Sequence, residues 1–109
     1  YSQKNQDKNM QLIELNIQKI IELCKKHKVK SLSVFGSILT DKFNDNSDVD
    51  LLVDFNSEIT HHNYTDNFFS LYYALRSLFE REIDLVDSTS IKNPYFKDEL
   101  NETKLLIYG

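Results

Sequence analysis

Two motifs form the centre of this sequence: Phe35-Gly36-Ser37 and, ten residues later, Asp48-Val49-Asp50-Leu51-Leu52-Val53. Residues 31–35 alternate between polar and apolar side chains, which predicts a strand that ends at Gly36. Residues 48–55 predict a second strand, and its Leu-Leu-Val run is apolar on both faces. Such a run is typical of a strand in the middle of a sheet.

Helices are predicted on both sides of these strands. Apolar residues recur at steps of three and four over 10–27 and again over 64–79, and each pattern indicates an amphipathic helix. A short helical segment is expected over 38–43, a third strand over 82–87, and a last helix over 94–108, which Pro94 can open. Residues 1–9 are polar and predict a flexible lead-in. The expected fold is therefore α+β (mixed α/β), a small mixed β-sheet covered by helices, in a single domain over 10–109.

The composition excludes several classes of protein. The net charge is −4, and an acidic chain lacks the basic surface that nucleic-acid binding requires. Cys24 is the single cysteine, so neither a disulfide framework nor a thiolate metal cluster is expected. No apolar run approaches the roughly 18 residues of a membrane span. The default expectation is a cytoplasmic protein.

Acidic residues mark the starts of two predicted strands. Asp48 and Asp50 are two positions apart, so both carboxylates project from the same face of their strand. Asp84 lies in the third strand, between Ile83 and Leu85. If the two strands are neighbours, three carboxylates converge, and carboxylate oxygens with open positions suit Mg²⁺ or Mn²⁺. The alternative for each acid alone is a solvated charge at a strand end.

Gly36-Ser37 is a candidate phosphate site. A glycine directly after a strand lets the backbone turn tightly and approach a ligand closely. If a helix follows, its free N–H groups and dipole also favour an anion above the turn. The alternative is a turn that serves the fold alone.

Taken together, these residues resemble the signature of the DNA polymerase β-type nucleotidyltransferase superfamily, and the short chain resembles its minimal nucleotidyltransferases (MNT proteins). The resemblance rests on F-G-S, D-V-D-L-L-V and I-D-L-V-D. It implies a polymerase β-like fold in which Gly36 and Ser37 hold nucleotide phosphates. It also implies that Asp48 and Asp50 bind two metal ions and that Asp84 is the third catalytic carboxylate.

One departure from the family pattern follows Ser37. Many members continue with an alanine-arginine-glycine stretch, whereas this chain reads Ile38-Leu39-Thr40-Asp41-Lys42. The departure removes an arginine that could neutralise the triphosphate. Lys42 is the candidate replacement.

The resemblance implies a metal-dependent enzyme that moves AMP from ATP to a hydroxyl group. MNT proteins of this size are described as antitoxins that modify a tyrosine of a helical HEPN toxin. Two alternatives stay open: a catalytically silent antitoxin that only binds its partner, and a transferase acting on a small molecule. The complete set of three acids favours an enzyme. The oligomeric state is left open. Four aromatic residues of the second long helix are expected in the core or at a partner surface, and their number on one helix favours an interface there: Phe68, Phe69, Tyr72 and Tyr73.

Overall fold

The computed structural model describes the backbone of residues 2–109 and the side chains of residues 8–109. The described residues form four helices and four strands. The helices are α1 (Ser2–Glu14), α2 (Ile17–Lys26), α3 (His61–Phe79) and α4 (Pro94–Thr103). The strands are β1 (Val29–Phe35), β2 (Val49–Phe55), β3 (Ile83–Asp87) and β4 (Leu105–Tyr108). Short 3₁₀ turns at Gly36–Leu39 and Ser88–Ser90 follow β1 and β3.

The four strands form one mixed sheet in the order β3-β2-β1-β4. β1 is antiparallel to both of its neighbours, whereas β2 and β3 are parallel and are joined through α3. The prediction of a small mixed sheet with helices is confirmed, as is the interior position of the Leu-Leu-Val strand.

Helices α1, α2 and α3 cover one face of the sheet. Val49, Leu51 and Val53 of β2 are fully buried in the core beneath these helices. Because alternate residues of a strand point to opposite faces, Asp50 must project from the face away from that core. Among the helices of the described residues, none is both long and apolar enough to cross a membrane.

The N-terminal region differs from the prediction in two ways. The lead-in expected over 1–9 is helical from Ser2 onward, while Tyr1 lies outside the described residues. The single helix expected over 10–27 is two helices, interrupted at Leu15 and Asn16. The Asn16 side chain donates to the Leu12 carbonyl at 2.8 Å, a local bond of the kind with which asparagine competes with helix continuation.

Buried Asn9 gives the unexpected first helix a structural role. Its amide nitrogen donates to the carbonyl oxygens of Ile38, at 3.0 Å, and Thr40, at 2.8 Å. A helix that sequence patterning treats as a polar extension therefore supports the turn that follows β1.

The C-terminal region also differs from the prediction. The helix predicted over 94–108 ends at Thr103, and the remaining residues form β4 on the outer edge of β1. The beginning is as expected: Pro94 opens the helix, and the Asn93 side chain caps it by accepting from two backbone N–H groups. Strand β4 forms hydrogen bonds with backbone groups of β1 that would otherwise lack sheet partners. A local sequence pattern cannot predict this pairing, because the two strands are far apart in the chain.

Candidate active site

Asp50 and Asp84 form the centre of the candidate site. They are register partners on the parallel strands β2 and β3, so both side chains project from the face that the helices leave free. Asp48 lies one residue before β2. Asp50 is half-buried, whereas Asp48 and Asp84 are exposed. Adjacent parallel strands therefore bring the three predicted acids to the same end of the sheet.

Gly36 lies against Asp50 from the other side. Phe35, the last residue of β1, is the register partner of Asp50, and Gly36 then turns with a φ of 73°. A Cβ atom at Gly36 would overlap the Asp50 carboxylate oxygen Oδ2. Both the backbone angle and the close approach therefore require glycine at this position.

Asp50 is in an unfavourable environment for a negative charge. Burial raises the pKa of the Asp50 carboxyl, and the neighbouring charges of Asp84 and Asp48 raise it further. A bound cation would relieve this repulsion, and oxygen donors of this kind fit Mg²⁺ or Mn²⁺.

The three carboxylates do not form a preorganised metal site, however. Within the part of the chain whose side chains are described, no three Asp, Glu, His or Cys groups are already arranged to hold a metal ion. The convergence expected from the sequence is thus present between adjacent strands but is looser than a preformed cluster. Since Asp48 and Asp84 are exposed, their side chains are free to reorient toward a bound ion.

The segment after Gly36 corrects one expectation. In place of a helix over 38–43 there is a single 3₁₀ turn, Gly36–Leu39, which is too short to supply a helix dipole. The turn is closed by Thr40, whose backbone N–H and hydroxyl both donate to the Ser37 carbonyl, at 2.9 and 2.8 Å. Ser37 is half-buried inside this turn, and Lys42 is exposed on the loop beyond it.

Arg81 is a positioning residue that sequence patterning misses. Its Nη1 donates to the carbonyl oxygens of Ser47, at 2.8 Å, and Asn44, at 3.1 Å, and its guanidinium lies 4.7 Å from the centre of the Phe43 ring. These contacts hold the loop that leads into Asp48. A single arginine before a strand belongs to no sequence motif, so its contacts with this loop could not be predicted.

Two further aspartates near the sheet have structural partners. Asp54 accepts hydrogen bonds from the hydroxyls of Ser31 and Ser88. Asp87 is buried, accepts from the Tyr64 hydroxyl and caps the turn after β3. Both carboxylates are therefore engaged in structural contacts.

Comparisons with known proteins agree with this geometry. A family model described as "Polymerase beta, Nucleotidyltransferase" matches residues 18–109. A protein of Methanocaldococcus jannaschii, provisionally named a protein adenylyltransferase, is 35% identical over 86 residues, which cover 79% of this chain and 84% of the relative.

Solved structures share the fold. A provisionally named minimal nucleotidyltransferase superposes with a TM-score of 0.73 at 23% identity, over 88% of this chain and 93% of that chain. A complex of a tri-AMPylated Shewanella oneidensis HEPN toxin with its MNT antitoxin gives a TM-score of 0.60 at 23% identity, over 88% and 71%. The family match and the similar relative show that the chain belongs to the polymerase β-type nucleotidyltransferase family and is a nucleotidyltransferase, and the shared fold agrees with this.

Proposed function

We propose that this nucleotidyltransferase transfers AMP from ATP to a tyrosine hydroxyl of a HEPN-type helical partner. The observation that carries the proposal is the Asp50–Asp84 pair on the open sheet face, with Gly36 leaving room beside it. The AMP donor and the partner class are supported by the fold neighbour, an MNT antitoxin bound to a HEPN toxin that carries AMP groups.

The transfer forms one bond and breaks another. The acceptor oxygen bonds to the α-phosphorus of ATP, the bond from that phosphorus to the bridging oxygen breaks, and pyrophosphate leaves with the electron pair. Asp84 orients the acceptor hydroxyl and takes its proton, the role of a positioned general base. Gly36 and Ser37 approach the phosphates, and Lys42 supplies a positive charge to the triphosphate.

Two divalent ions, Mg²⁺ or Mn²⁺, belong to this proposal. Asp48 and Asp50 would hold them, with Asp84 as the third carboxylate. When bound, such ions neutralise charge on the phosphates and lower the pKa of an attacking hydroxyl. A bound cation would offset the burial and the like charges that raise the pKa of Asp50.

An accessible site favours a large acceptor. Asp48 and Asp84 are both exposed, so a protein side chain can reach them without first entering a closed cavity. Leu105 and Leu106 of the edge strand β4 pair with the end of β1 nearest the site and are 44% and 53% exposed. Exposed apolar side chains beside an active site suit a protein partner.

The decisive experiment combines the protein with ATP, Mg²⁺ and a candidate HEPN-type partner protein. Intact-mass spectrometry should detect added AMP on the partner, and peptide mapping should locate it on a tyrosine. The Asp50→Asn variant should leave the partner unmodified. A partner that is fully inhibited yet unmodified by the wild-type protein would instead indicate an antitoxin that acts by binding alone.

A further inference from the structure

A stripe of six exposed side chains runs along α3. Its members are spaced alternately by four and three residues and end at the helix C-cap: His62, Asp66, Phe69, Tyr73, Arg76 and Glu80. This spacing is the a/d pattern by which one helix packs along another. The two residues at its centre, Phe69 and Tyr73, are 49% and 58% exposed. Large aromatic side chains so exposed at the middle of a packing stripe indicate a contact surface.

The stripe lies on the side of α3 that faces away from the core. The buried side of α3 consists of Leu71, Leu75 and Phe79, which pack in the core. At 3.6 residues per turn, the stripe lies on nearly the opposite side of the helix. Since α3 covers the sheet face opposite Asp50, a molecule bound to the stripe would leave the acidic site free.

The stripe is complementary to itself. When two copies of α3 lie antiparallel about a twofold axis that crosses the stripe midway between Phe69 and Tyr73, Phe69 faces the partner's Tyr73. In the same arrangement Asp66 faces the partner's Arg76, and His62 faces the partner's Glu80. Each contact occurs twice, as a twofold interface requires. We propose that a second copy of this chain packs antiparallel along α3 and forms a homodimer.

The charges select the antiparallel orientation. In a parallel pair, Asp66 would face the partner's Asp66, and the two Arg76 guanidinium groups would also face each other. Arg76 already forms an ion pair with Glu82 of its own chain. Its guanidinium carries five N–H donors, so it can bond to both carboxylates.

The shape of the surface also fits a second helix. A shallow concavity of about 350 Å³ beside the C-terminal half of the stripe includes Tyr73, Arg76 and Glu80 in its lining. In the antiparallel arrangement this concavity receives the N-terminal half of the partner's helix. With 19 residues, α3 is about 28 Å long, and one helix pair of this length lies at the small end of stable interfaces. A weak dimer whose population depends on concentration is therefore expected.

A charge-exchange experiment tests the dimer and its orientation together. Sedimentation velocity of the full chain should show a concentration-dependent monomer–dimer equilibrium. Asp66→Arg alone and Arg76→Asp alone should each raise the dimer Kd by about tenfold or more, because each places like charges opposite one another at two equivalent positions. The double variant, and a mixture of the two single variants, should recover dimers, since opposite charges again face each other.

The control is Asp98→Arg on α4, which makes the same change of charge at an exposed position away from the stripe. Its dimer Kd should match that of the wild-type protein, and Asp66→Arg and Asp98→Arg should melt at wild-type temperatures because both positions are exposed. Arg76→Asp also loses the ion pair with Glu82 and should melt somewhat lower, so its Kd is measured well below its melting temperature. A wild-type chain that stays monomeric up to millimolar concentration would overturn the proposal. A dimer that neither single variant weakens would also overturn it.

Discussion

Asp50 and Asp84 are directly opposite each other in the parallel register of β2 and β3. Parallel neighbours place the starts of both strands at one end of the sheet, so two acids far apart in the sequence become adjacent. The opposing antiparallel strand β1 ends beside Asp50 and adds the Gly36 turn. The site therefore depends on the mixed order of the sheet, because β2 needs one parallel and one antiparallel neighbour.

Gly36→Ala should abolish most of the transfer activity. The substitution places a Cβ atom on the Asp50 carboxylate and forces alanine into a left-handed conformation, so the turn or the carboxylate must move. We expect AMP transfer to fall by about 10²-fold or more, as happens when reacting groups are displaced by about 1 Å. Transfer of labelled AMP from ATP measures the effect.

The second glycine supplies a matched control. Gly109 also has a positive φ, 125°, and its added Cβ would crowd Ser31 and Lys30 rather than the acids. Gly109→Ala should lower the melting temperature while transfer per folded molecule stays at the wild-type level. Equal loss of transfer in both variants would mean that Gly36 serves only stability.

Arg81→Ala should weaken the loop that leads into Asp48. The variant removes two hydrogen bonds to the Asn44 and Ser47 carbonyls and the contact with Phe43, so we expect a loss of about 1–3 kcal/mol in the free energy of unfolding. Chemical denaturation measures that loss. The Mg²⁺ concentration needed for half-maximal transfer should also rise, because Asp48 is less well positioned.

The control cation is Lys28, whose ion pair with Glu58 is exposed and 3.5 Å long. Lys28→Ala should cost at most about 1 kcal/mol and leave the Mg²⁺ requirement unchanged. If Arg81→Ala behaves in the same way, the loop does not depend on Arg81.

Local patterning was sufficient to predict the parts of the fold that bear the acids. The alternation before Gly36 indicates a strand with one buried face, and the apolar run after Asp50 indicates a strand buried on both faces. The structure confirms both strands. Asp84 could be linked to Asp50 only on the condition that their strands are neighbours. That condition is met by the parallel β2–β3 pair.

The elements that sequence patterning missed depend on contacts distant in the sequence. Residues 105–108 continue an acceptable helical pattern, yet they form β4 because β1 has an edge to pair with. The polar residues at the N-terminus carry no amphipathic signal, yet Asn9 satisfies two carbonyl groups in the turn after β1. Arg81 was missed for the same reason, since its two acceptors lie 34 and 37 positions earlier.

Cys24 should be unreactive in the folded protein. Burial raises the pKa of its thiol from 9.0 to about 12, so almost no thiolate exists at neutral pH. A thiol reagent should label the native chain very slowly and the urea-unfolded chain readily. Rapid labelling of the native chain would contradict the buried position.

The same shift predicts how stability depends on pH. The unfolded thiol ionises above about pH 9 while the folded thiol stays protonated, so this contribution is complete below pH 9 and is lost as pH rises toward 12. The slope attributable to Cys24 approaches about 1.4 kcal/mol per pH unit. Denaturant titrations across this window should give a shallower decline for Cys24→Ala than for the wild-type chain.

Mg²⁺ or Mn²⁺ should raise the melting temperature, most clearly in the presence of ATP. A ligand that binds only the native state stabilises it by mass action, and the three acids supply the oxygen donors. The Asp48→Asn, Asp50→Asn double variant should lose this response. A matched double variant at Asp41 and Asp45, two exposed acids in the preceding loop, should retain it. Identical responses in all three proteins would place the metal ions elsewhere.

Asp84→Asn should separate chemistry from nucleotide binding. Asp84 is on a different strand from Asp48 and Asp50, and its proposed task is to orient and deprotonate the acceptor hydroxyl. Asparagine keeps the size and much of the hydrogen-bonding capacity but cannot accept the proton. We therefore expect Mg-ATP affinity within a few-fold of the wild-type value, with transfer lowered by about 10²- to 10⁴-fold, the usual contribution of a positioned base.

Asp50→Asn provides the contrast, since Asp50 is proposed to hold the metal ions that carry the triphosphate. This variant should lose both nucleotide affinity and transfer. Calorimetry with a non-hydrolysable ATP analogue measures binding, and labelled ATP measures transfer. Normal transfer by Asp84→Asn would make Asp84 a simple charge at the sheet edge. Loss of affinity equal to that of Asp50→Asn would instead mean that Asp84 serves mainly to hold the ions that carry the triphosphate, and not mainly to activate the acceptor.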